Sequence, residues 1–473
     1  MARINTNVSA LTAQRNLNSA YKKLNTTMEH LSTGLRISRG ADDPAGLIVS
    51  ERLRAEISAV KQAVSNTERA KLIVATAEGA LDEVSSLLKD IQAKIVEAAN
   101  EGAFSAEEIA ANQLQIDSAI DSITRIANTT TFAGRKLLDG SLAYTTSNVD
   151  LSHIRGLHIN ATQFGTRAAM AVNVAVQSAA QQARLEFPYA ALSNSREVSI
   201  ELRGTRGVTT LTFASNATAS QIIEAVNAVA DATGVEATSH VTSGVALYSR
   251  DYGSAEYVKV RVLSEGQEFM RVNDLREDKG TDAKATINGS AARAQGNHLT
   301  MKTSSIDLEL NVAAGWVSSS SFSITGGGAL FQVGPQVNSN LQVNMAINSV
   351  HASELGDSEI GYLAQVKTGG EFALTEEEPN YTRASDIISK AIDQISMLRG
   401  RLGSFERNTL DTNLNQLGIT SENLQSAESS IRDADFASET SRLARDQILV
   451  NAGTTVLTLA NQTTQSVLRL LGG

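Results

Sequence analysis

Apolar residues recur with helical spacing at both ends of the chain. In the N-terminal part they lie alternately four and three residues apart, at Leu17, Tyr21, Leu24, Met28, Leu31 and Leu35. A shorter stripe of the same kind precedes it at Ile4, Val8 and Leu11. Near the C-terminus a further stripe consists of Leu449, Ala452, Val456, Leu459 and Leu470. Heptad-like spacing of this kind predicts long helices that pack side by side.

Capping residues predict where the next two helices begin. Asp43 is a good N-cap, and Pro44 suits the first helical position, where its missing N–H costs nothing. Apolar residues continue with helical spacing to Ala98, so this helix would span about 85 Å at 1.5 Å per residue. Ser105 and Glu108 form a capping-box pattern for a third helix. The expected apolar face of that helix is Ile109, Ile116, Ile120, Ile123 and Ala127.

The middle of the chain changes to short β-type runs separated by Gly, Asn and Ser. Its most regular part predicts a ββαββ module with strands at 198–202, 208–213, 235–237 and 245–248 and a helix at 219–230. Residues 282–326 continue with period-two alternation, as in Ile306, Leu308, Leu310 and Val312. The glycine run at 326–328 is a plausible domain boundary.

Helical spacing returns after Pro379, with Ile388, Ile392 and Ile395 among the first apolar positions. The expected fold is therefore mainly α with a β-rich insertion, an α+β protein. Its long, coiled-coil-like N- and C-terminal helices pack together around a central β-rich outer domain. Paired in this way, the terminal helices still leave apolar faces, including Val8, Leu11, Val456 and Leu470, that neighbouring subunits could cover.

Composition excludes several functions. The 473 residues include 41 Lys plus Arg and 51 Asp plus Glu, a net charge of −10, which argues against nucleic-acid binding. The lack of cysteine excludes thiol catalysis and disulfides. No continuous apolar run is long enough to insert in a membrane, and no apolar h-region of a cleaved signal peptide follows the N-terminus.

Candidate chemistry is sparse. The six histidines do not form a metal-ligand motif, and Asp274, Asp278 and Asp282 lack the spacing of a calcium loop. The sequence contains neither a phosphate-binding glycine loop nor a GxSxG nucleophile motif. We therefore expect no enzyme activity, no cofactor and no metal.

Both ends of the chain resemble bacterial flagellin. At the N-terminal end the resemblance lies in residues 5–17 and in the segment LSTGLRISRGADDPAG at 31–46. At the C-terminal end it lies in SIRDADFASE at 430–439, QILVNAG at 447–453 and Ala460-Asn-Gln. Together the similar regions cover roughly residues 1–140 and 383–473, in the same order.

The resemblance implies a subunit that polymerises with itself into the helical flagellar filament, the propeller of swimming motility. It implies inner-core helices at 1–42 and 431–473, a helical shell domain with β-hairpins at 43–182 and 329–430, and a surface-exposed β-rich domain at 183–328. The ββαββ stretch looks like the hook-IN type of module.

Further expectations concern packing and partners. The inter-subunit and core helix-packing residues would be Ile4, Val8, Leu11, Leu17, Leu24, Met28, Leu31, Leu449, Val456, Leu459 and Leu470. The resemblance also implies export through the flagellar type III apparatus without a cleaved signal, an extracellular location, and an export chaperone on the C-terminal helices at roughly 420–473. Hook-associated and filament cap proteins are the other implied partners.

One stretch departs from the family pattern. In flagellins that a Toll-like innate receptor detects, the second helix carries an arginine-rich patch. The matching positions here are Asp90, Gln92 and Ala93, so we expect weak receptor activation.

Two alternatives and one possible modification stay open at this point. A flagellar hook-filament junction protein has similar terminal helices, and an outer domain can carry a grafted enzyme or adhesin activity. Possible N-glycosylation sequons occur at Asn160, Asn216 and Asn288. The hydroxyl clusters at 303–305 and 318–321 could accept O-linked sugars.

Overall fold

The computed structural model describes nine stretches of the chain, residues 7–164, 167–187, 197–215, 217–239, 244–264, 275–303, 305–358, 360–376 and 379–471. The side chains of Leu275 and of residues 463–471 are outside this description. The chain divides into two compact units. The first contains Met1–Arg69, Val333–Val337 and Thr409–Gly473, and the second contains Ala70–Gln332 and Asn338–Asn408.

Helices form both ends of the chain. In order they are α1 (Val8–Thr33), α2 (Pro44–Ala98), α3 (Ala106–Thr129), α4 (Ala219–Asn227), α5 (Ala230–Thr233), α6 (Tyr381–Phe405), α7 (Thr412–Arg432) and α8 (Phe436–Leu471). A π-helical segment, Glu406–Asp411, joins α6 to α7.

Antiparallel strands form the middle. Up to residue 249 they are β1 (Thr131–Phe132), β2 (Arg135–Lys136), β3 (Tyr144–Ser147), β4 (Ile154–Thr162), β5 (Met170–Ser178), β6 (Arg184–Phe187), β7 (Val198–Arg203), β8 (Val208–Phe213), β9 (Val235–Ser239) and β10 (Val245–Ser249). Beyond it they are β11 (Tyr257–Val262), β12 (Leu275–Lys279), β13 (Lys284–Ile287), β14 (Ser290–Ala291), β15 (Arg293–Gln295), β16 (His298–Lys302), β17 (Ile306–Val312), β18 (Ser319–Gly327), β19 (Ala329–Gln332), β20 (Gln342–Met345), β21 (Gly356–Asp357) and β22 (Gly361–Tyr362). The expected α+β class is confirmed.

The predicted helix starts are also confirmed. Helix α2 begins at Pro44, and the Asp43 Oδ1 atom accepts a hydrogen bond from the Gly46 N–H at 2.9 Å. At α3 both hydrogen bonds of the capping box form between Ser105 and Glu108. Because caps satisfy N–H groups that have no partner inside the helix, local sequence fixes these boundaries.

Helices α2, α3 and α6 supply the helical core of the second unit. Their fully buried faces are apolar and include Leu81, Val84, Leu88, Ile91, Ile116, Ile120, Ile123, Ile388 and Ile395. Polar contacts at the edges of these faces link the helices to their neighbours. Arg399 on α6 pairs with Asp82 on α2 at 2.9 Å, and the buried Gln113 on α3 donates to the Val366 carbonyl at 3.0 Å.

The predicted ββαββ module is present and is larger than the sequence pattern indicated. Strands β7 and β8 continue into a four-stranded sheet in the order β12-β11-β7-β8, while β9 joins a second sheet in the order β6-β10-β9. Both sheets and α4 bury one apolar core that includes Phe187, Ile200, Leu202, Ile222, Val245 and Val260. The Thr218 and Gln221 side chains form a capping box at the start of α4.

A β-sandwich lies next to this module in the chain, and its strand pairing crosses the domain boundary expected near residue 182. Strand β5 pairs with both β13 and β18, and β4 pairs with β17. Residues 144–178 therefore belong structurally with 284–327 rather than with a helical domain. The physical reason is that β5 buries alternate apolar side chains and β4 buries Ile154 and Ile159 in the sandwich core, together with Leu308, Leu310 and Phe322.

A cavity of about 90 Å³, lined by both charged and apolar side chains, lies between this sandwich and α6 in the second unit. His158 lines it, together with Glu309, Arg401 and His298. Arg401 Nη2 lies 3.5 Å from Glu309 Oε1, and His298 Nε2 lies 3.9 Å from Glu309 Oε2. Burial lowers the pKa of His158, and the charges of Glu309 and Glu354 oppose that shift only in part.

The lowered pKa of His158 predicts an acid-sensitive second unit. Since the unfolded chain binds the proton more readily, the contribution of neutral His158 to stability is complete above the unfolded pKa of about 6.5 and is lost as the pH falls below it. Trp316, the single tryptophan, packs against the sandwich core and reports its unfolding by fluorescence. We expect the unfolding temperature to drop from pH 7.5 to 5.5, and to drop less in His158→Gln.

The control for this prediction is His30→Gln, because His30 lies in the first unit. That variant should keep the wild-type pH dependence of the Trp316 signal. An equal drop in the wild type and in His158→Gln would show that His158 is not the responsible group.

Candidate assembly interface

Helices α1 and α8 of the first unit pack against each other in antiparallel orientation. Their shared core is small and consists of Leu17, Ala20 and Val450, with Leu24 and Leu457 at its edge. Gly453 allows the close approach, since a Cβ atom at that position would lie 3.0 Å from Leu17 Cδ1. An alanine at Gly453 would therefore require the Leu17 side chain to shift by a few tenths of an ångström.

Polar contacts fix the register of this pair. The Asn7 side chain caps α1 by accepting from the Ala10 N–H, and its Nδ2 atom donates to the Ala460 carbonyl at 3.0 Å. Further along, Thr27 Oγ1 donates to the buried Asp446 carboxylate at 3.2 Å. Sequence position rises along α1 as it falls along α8, so a slip by one turn would break both contacts.

The heptad stripe of α1 is only partly buried within the chain. Leu17 is buried, and Leu24 and Leu31 are half-buried. At the intervening positions the structure buries Ala20 and Thr27, while Tyr21 and Met28 are exposed. Small side chains form the closest contact with α8 because they let the backbones approach, a signal that a search for large apolar residues misses.

The remaining predicted packing residues that the structure describes have exposed apolar side chains. Val8 and Leu11 on α1 are 60% and 58% exposed, and Val456 and Leu459 on α8 are 55% and 60% exposed. Leu449 is also exposed. Ile4 and the side chain of Leu470 lie outside the described residues. Runs of exposed large apolar side chains along paired helices are typical of surfaces that another protein covers.

The base of this helix pair is joined to a second pair in the same unit. The Arg36 N–H donates to the Arg432 carbonyl at 2.7 Å, and the Ala434 N–H donates to the Gly34 carbonyl at 2.9 Å. Beyond this junction α2 packs on α7 through Val60, Ala63 and Leu417. Four helical segments thus form one unit from both ends of the chain.

The predicted receptor stretch lies on α2 within the second unit. Asp90 and Ala93 are exposed, next to a groove formed with α3. Gln92 is half-buried and its Nε2 atom is 3.4 Å from Ser389 Oγ on α6. The helix therefore presents an acidic residue to solvent at this position.

The sequons differ in accessibility. Asn288 is exposed at a two-residue hairpin turn between β13 and β14, where it has φ 50° and Gly289 has φ 80°, as a type I′ turn requires. Asn160 is half-buried in β4 and donates to Asp307 Oδ1 at 3.2 Å. Asn216 lies outside the described residues.

The described part of the chain offers neither a membrane-spanning helix nor a cluster of metal ligands. No helix there has the length and apolar character needed to cross a bilayer. No group of three or more His, Asp or Glu side chains there is arranged to hold a metal ion. The features that stand out are therefore the apolar faces of the terminal helices.

Comparison with known proteins identifies these helices. Residues 4–143 match the bacterial flagellin N-terminal helical region, and residues 385–471 match the bacterial flagellin C-terminal helical region. Residues 199–250 match the flagellin hook IN motif, which coincides with the ββαββ module. The three matches together cover more than half of the chain.

Relatives extend the similarity over the whole length. A flagellin of Clostridium tyrobutyricum is 29% identical, with 98% of this chain and 100% of the relative aligned. The B-type flagellin of Pseudomonas aeruginosa is 29% identical over 99% of each. A solved structure of FlgL from Xanthomonas campestris aligns with 80% of this chain and 99% of its own at 11% identity, with a TM-score of 0.28. On the terminal helices, the hook IN module and these full-length relatives, the chain belongs to the bacterial flagellin family.

Proposed function

We propose that this chain, a structural subunit of the bacterial flagellar filament, assembles by packing the α1/α8 pair against the same helices of neighbouring subunits. The observation that supports this is the exposed apolar face of that pair, especially Val8, Leu11, Val456 and Leu459. Fully burying a side chain of this size contributes about 1.5–3 kcal/mol. Four such side chains per subunit, repeated along a filament, give a substantial driving force.

The polar surroundings of these apolar residues suit a helix–helix interface. The sequence of α8 between 451 and 465 is rich in Asn, Gln and Thr and contains no Lys, Arg, Asp or Glu. Neutral polar groups avoid the desolvation penalty of buried charge, whereas a merely solvated face would more often carry Lys and Glu. The composition therefore supports burial of this surface in the assembled state.

The layered organisation remains part of the proposal. Inner-core helices at 1–42 and 431–473 would lie innermost, and the helical parts of 43–182 and 329–430 would surround them. The β-sandwich and the hook-IN-like module would face outward, together with residues 144–178 that share the sandwich core.

The same apolar face supports a role for the export chaperone before assembly. A chaperone that binds roughly 420–473 would cover Val456 and Leu459 and keep the subunit from polymerising early. Export through the flagellar type III apparatus, an extracellular location and contacts with hook-associated and cap proteins complete the proposal. These features of export, location and partners are supported by family membership. The proposal that the role is structural rather than enzymatic has the same support.

The first prediction from this proposal concerns the exposed apolar face of α8. In Leu459→Asp an unpaired carboxylate would be buried on assembly, which costs several kcal/mol. We expect the monomer concentration needed for polymerisation to rise by more than about tenfold, measured by sedimentation of seeded filaments, with the helical content of the monomer unchanged by circular dichroism. Leu151→Asp, the same substitution at an exposed leucine of the proposed outward-facing part, is the matched control and should assemble normally. Normal assembly of Leu459→Asp would reject this face as the interface.

The second prediction concerns Asp90. Because an acidic side chain cannot pair with an acidic receptor group and repels it, we expect receptor activation at least about tenfold weaker than that of a strong agonist flagellin. In a reporter-cell assay, Asp90→Arg should raise potency. The charge-matched control Glu107→Arg, at the start of α3, should not. Wild-type potency equal to the strong agonist would contradict the prediction.

The third prediction concerns glycosylation. We propose that an N-linked sugar is attached at Asn288, because its turn is exposed while Asn160 is half-buried in β4. The amide nitrogen of Asn160 donates to Asp307, whereas the hydrogen bond to the Asn288 side chain goes to its Oδ1 atom, from the Asn173 N–H at 2.8 Å. Mass spectrometry of peptides from native filaments should show the added mass at Asn288, and Asn288→Gln should remove it. An unmodified Asn288, or a sugar on Asn160, would refute the proposal.

A further inference from the structure

A buried carboxylate lies at the base of the α1/α8 pair with incomplete hydrogen bonding. The side chain of Glu439 is only 4% exposed. Its Oε1 atom accepts from Arg442 Nη1 at 2.8 Å, but its Oε2 atom has no hydrogen-bond partner among the described residues. A buried carboxylate with an unsatisfied oxygen is costly, because desolvation of the charge is not compensated.

His30 of α1 faces this carboxylate. Its side chain is 12% exposed, and Nδ1 lies 3.5 Å from Glu439 Oε1, which is too long for a good hydrogen bond. Nδ1 has no hydrogen-bond partner among the described residues either. Two buried, complementary and incompletely satisfied groups therefore meet across the helix pair.

The other charged groups near His30 already have partners. On α8 they are Arg442, which binds Glu439, and Asp446, which accepts from Thr27. On α1 the neighbouring Glu29 pairs with Arg39 and accepts from Ser38 Oγ. Glu439 is thus the group best placed to respond when His30 gains or loses a proton.

We propose that His30, Glu439 and Arg442 form a pH-responsive clasp that closes the α1/α8 pair when His30 is protonated. A protonated ring donates a charge-assisted hydrogen bond to Glu439, which is stronger than a bond from a neutral ring. Protonation makes both ring nitrogens of a histidine hydrogen-bond donors, so the clasp is closed when the ring is charged and loosened when it is neutral. This goes beyond filament formation, because it makes the terminal helix pair respond to pH.

Hydrogen exchange of the full-length protein in filaments tests the clasp. Exchange at pH 6.0 and 8.0, corrected for intrinsic rates, is read in peptides covering 24–33 and 436–446. In the wild type we expect protection about fivefold greater at pH 6.0, the factor that separates a charged from a neutral hydrogen bond. His30→Gln and Glu439→Gln should abolish this difference, and His30→Arg should give high protection at both pH values.

The control variant for the clasp is His158→Gln, whose substitution lies in the second unit. It should keep the wild-type difference in exchange protection between pH 6.0 and 8.0 at these peptides. Equal protection at the two pH values in the wild type, or a pH difference retained in His30→Gln, would overturn the clasp. If the protein forms no filaments, the proposed assembly is refuted independently of the clasp. The same exchange measurement on the monomer then tests the clasp.

Discussion

The constraint on which this structure depends is that each terminal helix has more apolar surface than the other can cover. Helix α1 buries Leu17 and Ala20 against Val450, but Val8 and Leu11 remain exposed, as do Val456 and Leu459 on α8. A longer shared core would make the pair self-sufficient and remove the reason to assemble. A smaller one would leave no defined pair for neighbours to recognise. The shared core of this chain is intermediate in size. The two helices pair in one defined register, and part of their apolar surface stays exposed.

Polar side chains define the geometry of a pair that has little core. Asn7 and Asp446 fix the register with Ala460 and Thr27, and Gly453 leaves room for the Leu17 side chain at the contact. Hydrogen bonds of this kind contribute modestly to stability, about 0.5–1.5 kcal/mol each, but they penalise a slipped register strongly. Specificity here comes from polar groups, and the attraction available for assembly comes from apolar ones.

Local sequence signals predicted the elements well, and long-range packing was harder to predict. Capping residues placed the starts of α2 and α3, because a cap acts within four residues. The ββαββ module and the alternation of β17 were also evident. The burial of Ala20 and Thr27 in place of Tyr21 and Met28 was not, since it depends on how closely two distant segments approach. The same holds for residues 144–178, whose partners are more than a hundred residues later.

The α1/α8 pair joins the two ends of the polypeptide, and Asn7 and Ala460 are separated by 453 positions. Closing so long a loop costs conformational entropy, and contacts of high sequence separation form slowly. Among the described helices, α1 is synthesised before all the others and α8 after them. Until α8 has been synthesised, α1 lacks the helix against which it packs, so the order of folding follows from the topology of the pair.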